Sequence, residues 1–95
     1  MFFITTLKIH NKTVKDSRTV GYLDSEEEAL DCLENNRYDL YEYGTYEYAI
    51  LENIPKGIYR YDYNPKWFKW DVNKGGFFIC EKPDLYIDMV GYAFG

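Results

Sequence analysis

Residues that commonly build catalytic and metal centres are scarce in this sequence. It contains one histidine, His10, and two cysteines, Cys32 and Cys80. Two cysteines so far apart, each in an apolar setting, indicate separate buried thiols rather than a disulfide framework or a zinc knuckle. His10 has no partner in the sequence pattern that would make it a general base, so we expect a solvated side chain near a strand end.

Motifs for group transfer and phosphate binding are missing as well. The pair Gly75-Gly76 is typical of a hairpin turn and not of a phosphate loop, and no serine or cysteine lies in a nucleophile-elbow setting. Asp62 and Asp71 could meet across two strands, but no third spaced carboxylate completes a metal site. The sequence therefore predicts no catalytic residue, no metal and no cofactor.

Long apolar runs are also absent. Residues 1–4 are apolar, but Thr5, Thr6 and Lys8 follow at once, so we expect no targeting segment and no membrane span, and we predict a cytoplasmic protein. The chain is predicted to form one domain over residues 1–95. A domain of this size buries only about 60–65% of the surface of its unfolded chain, so self-association would help and we expect a homo-oligomer.

The middle third of the chain has little basic charge. Residues 21–53 contain ten acidic residues and a single basic one, Arg37, in a chain of net charge −5. This balance argues against binding to duplex nucleic acid. The run 26–28 of three glutamates is explained by the start of a helix, because carboxylates stabilise its positive end. The alternative is an acidic surface that mimics nucleic acid and docks on a basic protein.

Aromatic residues are what the sequence has in excess. Eleven Tyr, six Phe and two Trp make up 20% of the chain, and most of them lie between Tyr38 and Phe78. The core of so small a domain cannot contain all these rings, so some are expected at the surface or at a subunit contact. Exposed rings usually mark a binding surface.

The clearest local pattern predicts a helix over residues 25–35. Ser25 and Glu28 have the spacing of a capping box, and an apolar stripe at helical spacing follows them. Asn35 and Asn36 can adopt the left-handed conformation that ends a helix. We expect one face of this helix to pack on a sheet.

Strands are predicted on both sides of this helix. They cover residues 2–9, 19–23, 46–54, 58–63, 67–72 and 77–81, with turns at residues 11–12 and 73–76. Residues 37–44 fit either a helical turn or the beginning of a strand, and residues 85–95 fit an edge strand or a docking tail. The pattern predicts an α+β domain of order ββ-α-ββββ, an antiparallel sheet of about five or six strands with one helix packed on it.

Residues 59–70 form the most unusual segment, because rings and cations alternate along it. Its functional interpretation is a nucleotide pocket in which rings stack on a base and cations meet phosphates. The predicted stacking residues are Tyr59, Tyr61, Trp67 and Trp70, and the predicted phosphate ligands are Arg60, Lys66 and Lys69. Only one face of each strand can contribute. The competing interpretation is a sheet core with lysine side chains that reach water.

Seven short stretches of the sequence form a recognisable succession. They are VGYL at 20–23, EEA at 27–29, ENN at 34–36, YAILE at 48–52, GIY at 57–59, WFKW at 67–70 and EKP at 81–83. Together they resemble a family of short proteins from phages and prophages of gut Firmicutes. The resemblance implies a setting in which small proteins disarm host defence, some of them as oligomeric sponges for cyclic dinucleotides or ADP-ribose derivatives.

The residues and this resemblance together lead to an expected function. We expect a non-enzymatic anti-defence protein of the host-cell cytoplasm that binds and sequesters a small nucleotide immune signal. The first alternative is an acidic inhibitor of a host defence protein, and the second is an enzyme that cleaves the signal.

Overall fold

The computed structural model describes residues 1–54 and 65–86. Within these residues the chain forms β1 (Phe2–His10), β2 (Thr13–Leu23), α1 (Glu26–Glu34), β3 (Tyr48–Asn53), β4 (Lys66–Asp71) and β5 (Gly76–Cys80). The five strands form one sheet in the order β2-β1-β3-β4-β5, and every neighbouring pair is antiparallel. The predicted α+β class is confirmed. The predicted strand over residues 58–63 lies outside the described residues.

The first hairpin joins β1 to β2 through a tight turn. Asn11 and Lys12 both have positive φ, 51° and 60°, as a two-residue hairpin turn of matching twist requires. β2 begins at Thr13, six residues earlier than the predicted start at Thr19. The prediction missed this first half because it lies in an edge strand with mostly polar side chains, so no apolar alternation marks it. The pairing with β1 is irregular at Ile4/Thr5 and at Lys8/Ile9.

Helix α1 begins as its sequence predicts. The backbone N–H of Glu28 donates a 3.2 Å hydrogen bond to Oγ of Ser25, the N-cap residue. At the other end Asn36 has φ 47° and ψ 45°, the left-handed conformation that stops the helix. Residues 37–44, which the sequence left open, then form two short 3₁₀ turns, Arg37–Asp39 and Glu42–Gly44, rather than a strand.

The larger apolar core lies between α1 and the sheet. Its buried members are Ile4, Ala29, Leu33, Leu40, Ala49, Leu51, Phe68 and Phe77. The helix end approaches β5 so closely that a Cβ at Gly76 would lie 1.9 Å from the backbone oxygen of Glu34. Only glycine fits there, so Gly76 fixes how tightly the helix packs on the sheet.

A second apolar cluster lies on the opposite face of the sheet. Leu7, Ile50 and Trp67 are buried there, and Leu85 packs against them. The segment that carries Leu85 is held in place where the N–H of Tyr86 donates a 2.9 Å hydrogen bond to the carbonyl oxygen of Lys12. The sheet is therefore covered on both faces at its centre.

No helix in the described part of the chain is both long enough and apolar enough to cross a bilayer.

Candidate functional site

The predicted ligand residues do not come together in the part of the chain that the structure describes. Tyr59, Arg60 and Tyr61 lie outside the described residues. The remaining four all belong to β4, where alternate side chains point to opposite faces. Lys66 and Trp70 therefore lie on the helix face, and Trp67 and Lys69 on the other.

On the helix face, Lys66 and Trp70 already have partners within the protein. Nζ of Lys66 forms an ion pair with Glu26 of α1. The Trp70 ring stacks on Tyr41, with ring centres 3.9 Å apart and planes 6° apart, and Phe77 meets it edge-on at 5.4 Å. The ring face that Tyr41 covers is not available to a ligand base.

On the opposite face, Trp67 is a core residue. Its side chain is only 4% exposed and packs with Leu7 and Ile50. Its neighbour Phe68, on the helix face, is also buried, so both faces of this strand contribute to a core. Lys69 is exposed and its Nζ lies 5.7 Å from the centre of the Tyr48 ring. In the described structure these residues favour the core interpretation of β4.

The acidic middle third is partly neutralised by the protein itself. Glu26 pairs with Lys66, Asp31 pairs with Arg37 at 2.5 Å, and Glu42 pairs with Arg18. The hydrogen bond from Arg37, opposed by some loss of solvation, lowers the pKa of the Asp31 carboxyl. A continuous acidic surface that mimics nucleic acid needs unpaired carboxylates, so these ion pairs weaken that alternative.

A cleft of about 450 Å³ opens on the helix face beside the edge strand. One wall is formed by residues 18–23 of β2, and the opposite side by Cys32 of α1 and by Tyr38 and Leu40 after it, with Ile4 also lining the space. Its volume lies within the range of about 300–1,000 Å³ that small-molecule sites usually have. This cleft is the candidate functional site.

Arg18 supplies the positive charge of the cleft. Its guanidinium forms an ion pair with Glu42 and lies 5.1 Å from the centre of the Tyr46 ring. Among the described residues its Nε is buried and has no hydrogen-bond partner. An unsatisfied buried donor is unfavourable, and an anion in the cleft would meet the exposed part of the same side chain, which is 39% exposed.

The ring beneath Arg18 is itself fixed by the fold. Tyr46 is buried, and its hydroxyl donates a 3.2 Å hydrogen bond to Asp16 of β2. Burial, together with this carboxylate, raises the pKa of the Tyr46 phenol, so it stays neutral at physiological pH. Arg18 is thus held between a neutral ring and one carboxylate.

Tyr38 forms the aromatic rim of the cleft, on a strained segment. Its side chain is 89% exposed and its backbone has φ 62°. Four other residues of the segment that are not glycine also have positive φ, namely Asn36, Asp39, Glu42 and Tyr43. For Tyr38, Glu42 and Tyr43 each such conformation is unfavourable by about 1–3 kcal/mol, and strain of this kind concentrates at ligand-binding sites.

Cys32 places a thiol in the cleft wall. Both cysteines are unpaired and half-buried, with Cys32 on the helix face and Cys80 on the opposite face. Burial raises the pKa of the Cys32 thiol, and the negative charge of Asp31 raises it further. The protonated thiol is a weak nucleophile, which suits a wall residue better than a catalytic one.

Sequence reasoning missed this site for physical reasons. Arg18 lies in the polar half of β2, which the pattern did not identify, and Tyr38 lies in the segment it left open. The signal that could have pointed here is Asn35-Asn36 followed by a tyrosine-rich stretch. Asparagine tolerates the left-handed conformation that turns the chain, and a loop of defined conformation is a common place for binding residues. The described residues contain no cluster of His, Cys, Asp and Glu that could hold a metal ion.

Comparison with known proteins adds no further evidence. No protein-family model, no curated protein and no solved structure matches this chain.

Proposed function

We propose that this protein binds a small nucleotide in the cleft between β2 and the segment after α1, and holds it without converting it. The observation that carries the proposal is Arg18, whose guanidinium-bearing side chain lines a cleft of ligand size and is 39% exposed. A phosphate oxygen is a suitable acceptor for this guanidinium, because charge-assisted hydrogen bonds are the strong ones.

The aromatic rim supports a ligand that also contains a base. Tyr38 is almost fully exposed at the edge of the cleft that Arg18 lines. Stacking of a base on such a ring contributes about 1–3 kcal/mol. One stacked base and one charge-assisted contact of about 1.5–3 kcal/mol together predict weak binding before any contribution from the apolar wall.

The lining of the cleft supports binding rather than turnover. Its titratable side chains are Arg18, Tyr22, Cys32 and Tyr38. A hydrolytic mechanism needs a general base near its working pH, and the raised pKa of Cys32 makes that thiol unsuited to the role. A protein that holds its ligand intact acts by sequestration.

The resemblance to phage and prophage proteins suggests a setting for this activity. We propose that the nucleotide is an immune signal, a cyclic dinucleotide or an ADP-ribose derivative, and that the protein acts as a homo-oligomer in the host-cell cytoplasm. Sequestration there would lower the free concentration of the signal and silence the defence that it triggers.

A thermal-shift panel tests the proposal. The purified protein is screened against cyclic dinucleotides, cyclic ADP-ribose isomers and linear ADP-ribose conjugates, and each hit is released by heat and examined by chromatography. Stabilisation with an unchanged ligand supports sequestration. A cleaved ligand would make the protein an enzyme, and no shift with any nucleotide would contradict the proposal.

Two pairs of variants then assign the binding to the cleft. Arg18→Met should weaken binding by about tenfold or more, because one charge-assisted hydrogen bond is lost, whereas Lys69→Met on the other face should not. Tyr38→Asn should weaken it by about fivefold or more, and Tyr43→Asn is its matched control. Both tyrosines are exposed with positive φ, which asparagine tolerates, so circular dichroism should show unchanged folds.

A further inference from the structure

The two edges of the sheet differ in how well they are protected. β2 carries Lys15, Asp16 and Arg18, and its pairing with β1 is interrupted by two irregularities. Charges and irregular pairing of this kind discourage another strand from joining an edge. β5, over Gly76–Cys80, has the sequence GFFIC and no charge at all.

The outer side of β5 is open in the part of the chain that the structure describes. β5 pairs with β4 on one side, and no described strand pairs with its other side. Ile79 of β5 is 70% exposed, and Val72 at the end of the same hairpin is 80% exposed. Large exposed aliphatic residues beside backbone groups that no described strand pairs form a surface that favours strand addition.

We infer that β5 pairs with β5 of a second copy of this chain, antiparallel and about a twofold axis, so that the two sheets become one. A second copy fits because the five residues of β5 carry no charge, and the one cation placed over them, Lys74, has its Nζ 4.5 Å from the centre of the Phe78 ring and lies on the sheet face rather than in the strand edge. The other possible pairing, β5 on the charged β2 edge, would leave a free β5 at one end and a free β2 at the other, so that further copies would add and produce open-ended filaments. Twofold pairing closes after two copies.

Phe78 lies at the centre of the proposed strand pairing. Paired residues of antiparallel strands lie on the same sheet face, so a register centred on Phe78 sets the two Phe78 residues opposite each other and covers Ile79 in both copies. A strand of five residues is only about 17 Å long, which places this contact among the small, transient interfaces. We therefore expect a dimer that depends on concentration, independent of any ligand in the cleft.

Sedimentation velocity of the full chain tests this inference. The protein concentration is varied from about 10 µM to about 1 mM, the range in which a weakly associated dimer becomes populated. We expect the sedimentation coefficient to rise from that of a monomer to that of a dimer. Ile79→Lys should weaken dimerisation by about tenfold or more, because it brings like charges to the junction. Thr13→Lys adds the same charge to the exposed start of β2 and should change nothing.

A cysteine variant gives an independent measurement. In a Cys32→Ser, Cys80→Ser background, Phe78→Cys should form an intermolecular disulfide on mild oxidation, and Thr13→Cys should not. A monomer at every concentration would overturn the inference. So would a dimer that survives Ile79→Lys, or one that Thr13→Lys disrupts.

Discussion

The ring of Tyr41 lies flat against the ring of Trp70, with centres 3.9 Å apart and planes 6° apart. This contact joins the strained segment of residues 37–44 to the sheet. Tyr38, at the rim of the cleft, lies three residues before Tyr41 in the same segment. The stack therefore holds in place the loop that carries the aromatic side of the candidate site.

Removing this stack should destabilise the domain. We expect Tyr41→Ala to lower the free energy of unfolding by about 2 kcal/mol, because a half-buried ring and its aromatic pairing are both lost. Tyr43→Ala is the matched control, since Tyr43 is 97% exposed, and it should change stability by about 0.5 kcal/mol or less. Urea unfolding followed by tryptophan fluorescence measures both. Equal effects of the two variants would contradict this role for the stack.

Two neighbouring glycines should respond to substitution in opposite ways. Gly76→Ala should cost at least about 2 kcal/mol, because its Cβ would meet the backbone of Glu34 and the helix would have to move. Gly75 has φ 70° and open space around its Cβ position, so Gly75→Asn should be nearly neutral. The melting temperatures of the two variants show whether a position requires glycine because it has no room for a Cβ, as at Gly76, or only requires a residue that tolerates positive φ, as at Gly75. A stable Gly76→Ala protein would mean that α1 does not pack against β5 this closely.

Glu42 should compete with an anionic ligand for Arg18. Both side chains of this ion pair are more than a third exposed, 39% for Arg18 and 36% for Glu42, so the pair is worth about 0–1 kcal/mol. Glu42→Gln should therefore tighten nucleotide binding by up to about fivefold. Isothermal titration calorimetry measures the change, with the exposed Glu47→Gln as control. Weaker binding by Glu42→Gln would show that Glu42 supports the site.

The two thiols provide an internal comparison for occupancy of the cleft. Burial raises the pKa of both Cys32 and Cys80, so each should be alkylated more slowly than a free thiol at neutral pH, and the rate should increase as the pH is raised. A bound nucleotide should protect Cys32, which lines the cleft, and leave Cys80 on the other face unaffected. Iodoacetamide labelling followed by peptide mass spectrometry separates the two sites. Equal protection of both thiols would indicate general stabilisation rather than binding in the cleft.

Local sequence rules predicted much of the fold. The Ser25 cap, the left-handed Asn36 and a hairpin turn between β4 and β5 depend on residues close in sequence, and all three are present, the turn at residues 72–75 rather than the predicted 73–76. This turn is further stabilised by Asp71, whose carboxylate accepts hydrogen bonds from the backbone N–H groups of Asn73 and Lys74. These features are determined by propensity and short-range hydrogen bonding.

The candidate site could not be predicted in the same way. Arg18 and Tyr38 are twenty residues apart and line the same cleft only because residues 37–44 fold back beside β2. The sequence favoured Trp67 and Trp70 because rings beside cations are conspicuous, but the structure buries the first and stacks the second on Tyr41. Whether an aromatic ring remains accessible to a ligand depends on tertiary packing, and the alternation pattern of a single strand does not contain that information.

The most direct test of the account is a ¹H–¹⁵N correlation spectrum of the labelled protein titrated with the nucleotide panel. We expect one nucleotide class to shift the amide resonances of residues 18–23, Cys32 and Tyr38, and to leave those of β4 largely unchanged. Shifts concentrated in β4, or no shifts with any nucleotide, would contradict the assignment of nucleotide binding to this cleft.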